Sequence, residues 1–276
     1  MSLPKHPVLS DSSTEPDSGS TQQILGLRFF DGSAREAVHA MIKTGGYLVA
    51  PAAPALVNLC YDAGYRRALL EADATLADSG LMVLLWKLFQ GRDINRISGL
   101  AYLQQLLQCS DLREAGALFL VLPNESSRQK SAAWLEANGF QVPKENFYFA
   151  PRYKAEIGDQ PLLSLMGRRK PRHVIIGLGG GNQERLGLYL RNQLPYRPAI
   201  HCIGAALGFI TGDQHPIPDW ADRLYLGWLL RLLRAPRLYL RRFWVAHELP
   251  GLIARYGRRL PPLREADGKL ESRKAK

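Results

Sequence analysis

The sequence predicts an α/β fold: a parallel sheet with helices on both faces, followed by a C-terminal helical appendage. Three observations predict it. Short, continuously apolar runs alternate with helical patterns from residue 47 to residue 203. Those runs lack the in–out alternation of a half-exposed strand, so they read as strands buried on both faces. After Pro218 no strand signal remains and the chain turns strongly basic.

Length and composition bound the rest. The 276 residues are 46% hydrophobic and 9% aromatic, enough for one large core. Residues 1–23 are polar and rich in Ser, Asp and Pro, without an apolar segment, and read as a disordered extension rather than a secretory leader. The core then spans 24–217, the appendage 218–256 and a basic tail 257–276.

Within the core, residues 47–49 form a first strand and an apolar helix follows from Pro54. Residues 74–77 read as a buried strand that ends at Asp78. Residues 81–89 are helix-like and strongly apolar, and 100–108 form an amphipathic helix. The run ALFLVL, 117–122, is a clear buried strand, and helix 126–138 follows with Gly139 as its C-terminal stop. Residues 147–150 form a weaker strand, and 162–166 are helical. HVIIG, 173–177, is another buried strand that enters a glycine loop, then helix 183–193; AIHCI, 199–203, is the last strand.

Ligands of such sheets sit beyond the carboxyl ends of the strands. That rule selects the loops after Val49, Ala77, Gly177 and Ile203. The loop after Gly177 reads Leu-Gly-Gly-Gly-Asn-Gln-Glu. Its backbone amides and the helix N-terminus can hold a phosphate, or it can be a plain tight turn with Gln183 and Glu184 as caps. It departs from the dinucleotide fingerprint at Asn182 and lacks the Gly-Lys-Ser/Thr of a P-loop. Asp78 reads either as the N-cap of the helix beginning near Leu81 or as a general base for a hydroxyl. Arg96 is a phosphate partner or a solvated surface residue.

Composition excludes other classes. Cys60, Cys109 and Cys202 are far apart and fit neither a disulfide framework nor a zinc site. The six histidines show no metal-ligand spacing beyond a loose Asp213-x-His215, so no metal and no cofactor are expected. The longest uncharged window, 44–61, contains Pro51 and Pro54 and is rejected as a membrane span. Of the formal charge of +11, +8 lies in residues 219–276. Arg231, Arg234, Arg241 and Arg242 share one helical face if one axis runs through Pro236, with Trp228, Tyr239, Phe243 and Trp244 between them. Arg interleaved with aromatics and leucines suits an anionic membrane surface or a water-facing amphipathic helix. No nucleic-acid-binding motif is present, so nucleic acid is not an expected partner.

Taken in order, HVIIGLGGGNQE, CIGAALGFITG and LGWLLRLLRAPRLYLRR, preceded by EADATLADSG and NRISGLAYL, resemble the WecG/TagA/CpsF family of bacterial glycosyltransferases over about residues 48–243. The resemblance implies a Rossmann-like core and an inverting, metal-independent hexosyl- or N-acetylhexosaminyltransferase. It implies a UDP-sugar donor and a polyprenyl-pyrophosphate-linked sugar acceptor, used at the cytoplasmic face of the membrane for surface or exopolysaccharide. It leaves a homo-oligomer open. It puts Asp78 in the catalytic-base position. It makes Arg96, Gly179, Gly180, Gly181, Asn182, Gln183 and Glu184 substrate-binding, with Arg231 and Arg241 meeting pyrophosphate. The chain departs from the family pattern at Ala50-Pro51-Ala52, where Thr-Pro-Asn is usual, and at Ser79, Gly208, Gly227 and Leu238. Those departures make an inactive, partner-binding member the competing expectation; a basic nucleic-acid-binding protein is the remoter one.

Overall fold

The computed structural model describes residues 20–154, 156–213 and 244–264. Its centre is an eight-stranded sheet in the order β1-β2-β4-β3-β8-β7-β5-β6. The strands are β1 (Thr21–Ile24), β2 (Leu27–Phe30), β3 (Gly46–Val49), β4 (Ala74–Thr75), β5 (Leu118–Leu122), β6 (Phe147–Phe149), β7 (His173–Ile176) and β8 (Ala199–Cys202). Only the β1–β2 hairpin is antiparallel; every other pair is parallel. The expected Rossmann-like α/β class is therefore what the chain adopts.

Ten α-helices are described, numbered in chain order. They are α1 (Ala34–Thr44), α2 (Ala53–Val57), α3 (Ala63–Leu70), α4 (Gly80–Gln90), α5 (Gly99–Leu106), α6 (Glu125–Ala137), α7 (Gln160–Arg169), α8 (Asn182–Gln193), α9 (Ala206–Ile210) and α10 (Leu249–Tyr256). Alternate strand residues feed two separate apolar layers. Tyr47, Val49, Val121, Ile176 and Cys202 meet α2, α3, α4, α7, α8 and α10 on one face. Leu48, Leu120, Ile175 and Ala199 meet α1, α5, α6 and α9 on the other. Burial on both faces is the reason the strands read as unbroken apolar runs.

Several elements depart from the sequence expectation, among them helices α3 and α9, which it does not contain. The hairpin β1–β2 begins at Thr21, inside the stretch expected to be a tail. Helix α1 was not anticipated, although Ser33 and Glu36 form a reciprocal capping box and Ala37, Val38 and Met41 face the core. The strand expected over 74–77 is shorter: Leu76 N still bonds to Val49 O, and the chain then turns, with Asp78 N donating to Leu76 O at 2.9 Å. Residues 214–243 and 265–276, which hold Arg231 and Arg241, lie outside the described residues. No helix among the described residues is long and apolar enough to cross a membrane.

Candidate active site

Strands β4, β3, β8 and β7 are neighbours in the sheet. The four loops selected from sequence therefore leave one continuous edge, at the carboxyl ends of adjacent parallel strands. Two pairs of groups meet there.

The first pair is Asp78 and Arg96. Asp78 follows β4 and is half-buried. It is not the cap of α4: Ser79 holds that place, its hydroxyl accepting from Met82 N at 3.2 Å. The Asp78 carboxylate reaches a different helix, where Oδ1 accepts from the backbone amide of Gly99 at 2.9 Å, the first residue of α5. Arg96 folds back on the same turn, its Nε donating to the Asp78 carbonyl at 3.0 Å. The Arg96 loop is itself tethered to the β1–β2 hairpin. Asn95 N donates to Asp31 Oδ1 at 2.9 Å, and Gln22 Nε2 donates to Asp31 Oδ2 at 2.7 Å. Arg96 also lines an open cavity of about 390 Å³ with Gly32, Ser33, Glu36 and Asn95, at the N-terminus of α1. Without α1 this cavity could not be read from the sequence.

The second pair is Gln183 and Glu184, at the start of α8. Both are buried, at 3% and 1% exposure. Gln183 Oε1 accepts from Gly204 N at 2.7 Å and Gln183 Nε2 donates to Glu184 Oε1 at 2.9 Å. Glu184 Oε2 accepts from Gly181 N at 2.6 Å. These bonds lock the loop after β7 to the loop after β8. Burial pushes the Glu184 carboxyl above the usual carboxylate range, against the hydrogen bonds from Gln183 and Gly181 that favour its charge. Both side chains make internal hydrogen bonds beneath the turn.

The glycine loop divides accordingly. Gly181 has φ +95°, a conformation closed to other residues without strain, and its amide is already held by Glu184. Gly179 and Gly180 are exposed, and a Cβ on either would meet no atom within 4 Å. Their amides donate to no described residue. Half-buried Asn182 stands beside them.

Ala52 occupies the N-cap of α2 at the end of β3 and offers no side-chain acceptor to the first turn. Ala50 beside it is half-buried. At the back of the sheet, Tyr102 OH lies 2.9 Å from His201 Nδ1, and the His201 and His173 rings stack at 5.8 Å. Burial holds both histidines neutral, His173 lowered to about 4. No group of three metal-ligating side chains occurs among the described residues.

A family model described as the glycosyl transferase WecG/TagA/CpsF family matches residues 22–264. No curated protein matches the chain.

Proposed function

The chain belongs to the WecG/TagA/CpsF family of glycosyl transferases, and from that premise we propose an inverting, metal-independent transfer from a UDP-sugar to a polyprenyl-pyrophosphate-linked acceptor. The transferred group is a hexose or N-acetylhexosamine, and the work is done at the inner face of the cell membrane in surface-polysaccharide synthesis. The observation that carries this reading is the Asp78–Arg96 junction: a carboxylate oriented by the Gly99 amide, with a guanidinium folded onto the same turn.

The reaction is a single in-line displacement. Asp78 takes the proton of an acceptor hydroxyl. The hydroxyl oxygen forms the bond to the anomeric carbon from the face opposite UDP, so configuration inverts. The bond to the diphosphate oxygen breaks and its electron pair leaves with UDP. Arg96 and the amides of Gly179 and Gly180 meet the charge that develops on the diphosphate. Arg231 and Arg241, outside the described residues, complete the set. Removing one such group costs about 10²–10³ in rate in comparable sites.

Ala50 and Ala52 favour a second reading, a member that binds partners without turnover. The retained Asp78 and its tether to α5 favour catalysis over that alternative. A donor screen decides between them. UDP-sugars are offered with a polyprenyl-pyrophosphate sugar acceptor, with and without detergent micelles. Acceptor-dependent UDP release supports the enzyme; binding of donor or acceptor with no release from any UDP-sugar supports the second reading.

A further inference from the structure

Helix α4 is apolar on two faces, with Lys87 and Gln90 as its polar residues. Met82, Val83 and Trp86 fill its inner face and are buried. Its outer face carries Leu84, Leu88 and Phe89, which are 41%, 73% and 43% exposed. Leu81 and Leu85, half-buried, continue the same stripe at helical spacing. Apolar surface this broad on a helix belongs in a core or in lipid, and only the inner face of α4 is in the core. Its 11 residues extend about 16 Å. That is about half the thickness of a bilayer's hydrocarbon, so α4 can lie along a membrane but not cross it.

Charge says what covers the stripe. Lys87 and Arg92 are exposed on α4 and the turn after it. Arg255, Arg258 and Arg259 are exposed at the end of α10, which packs against α4; Gln90 Nε2 of α4 donates to Ile253 O of α10 at 3.4 Å. Lys87 pairs with Asp93 at 2.8 Å, so within residues 80–93 and 249–260 four arginines, Arg92, Arg255, Arg258 and Arg259, stand against no further acidic residue. A second copy docked symmetrically on this face would bring cations onto cations. Anionic headgroups meet them with opposite charge.

We propose that the outer face of α4 is a membrane-docking surface for anionic bilayers, distinct from the basic segment after Pro218. Leu84, Leu88 and Phe89 enter the acyl boundary and the flanking cations meet lipid phosphates. Because α4 begins two residues after Asp78, docking sets Asp78 at the bilayer surface, within reach of a lipid-linked acceptor; that last step rests on the proposed function.

The test uses the full chain and its Leu84→Gln/Leu88→Gln variant, with vesicles of phosphatidylcholine alone or with phosphatidylglycerol. The variant is expected to bind the phosphatidylglycerol vesicles about 10–100-fold more weakly, because the exposed surface of two leucines no longer enters lipid. Its melting temperature, sedimentation and transfer to a water-soluble acceptor analogue should match those of the parent. Unchanged vesicle binding, or equal parental binding to phosphatidylcholine alone, overturns the proposal. So does a variant that melts lower or sheds a dimer, since the face is then covered by protein. If the parent transfers no sugar but the vesicle contrast stands, the catalytic reading falls and this surface remains.

Discussion

The carboxylate of Asp78 accepts the amide proton of Gly99 at 2.9 Å, joining the turn after β4 to the first residue of α5 across 21 positions of sequence. One residue thus serves as a helix-terminal acceptor and as the group proposed to take the acceptor's proton. Those roles separate by substitution. Asp78→Ala removes the partner of the Gly99 amide and should lower stability by about 1 kcal/mol. Asp78→Asn keeps an acceptor oxygen and should leave stability within about 0.5 kcal/mol of the parent. Urea unfolding of both variants measures the difference.

Gln183 bridges the Gly204 amide and the Glu184 carboxylate inside the protein. Gln183→Leu leaves both without that partner and should destabilise the fold by about 1–3 kcal/mol. Denaturation read beside donor binding checks this. A variant of parental stability with weakened donor affinity would make Gln183 a ligand contact rather than an internal brace.

Ala52 leaves the N-terminus of α2 without a side-chain cap. Ala52→Asn should raise stability by about 1 kcal/mol, because Asn accepts from the first-turn amides. Thermal unfolding checks it.

Acid should loosen the fold through His173 and His201. Both are held neutral when folded, His173 lowered from 6.5 to about 4. Their contribution is complete above pH 6.5 and is lost as pH falls below it, for His173 down to about 4, because the unfolded chain binds protons there and the folded one does not. His173 alone accounts for about 3 kcal/mol of that loss. Glu184, raised by burial, acts oppositely: its contribution is complete below 4.5 and is lost as pH rises. Unfolding free energies from pH 7 to 4 for the parent and His173→Gln isolate the histidine part. The variant should show the shallower slope.

Much of this was legible in sequence, and the misses have separate causes. Residues 118–122, 173–176 and 199–202 are buried on both faces, so composition alone marks them as strands. The β1–β2 hairpin alternates over only four residues per strand beside a polar leader, which hides it. The capping box Ser33–Glu36 is a readable start signal for α1. At the site, chain order brought Asp78 and Arg96 into view, since both flank one loop pair. The inward turn of Gln183 and Glu184 was not legible. Their acceptors and donors come from Gly181 and Gly204, and only the adjacency of β7 and β8 unites them.

The central claim is that Asp78 is the base of a sugar transfer. The most direct measurement is the rate of UDP release with a matched UDP-sugar and a polyprenyl-pyrophosphate-linked acceptor, for the parent and Asp78→Asn. The variant should keep parental stability and donor affinity while turnover falls about 10²–10⁴-fold, the usual contribution of a positioned base. Parental turnover in Asp78→Asn would contradict the account and leave Asp78 only as an acceptor for the Gly99 amide of α5.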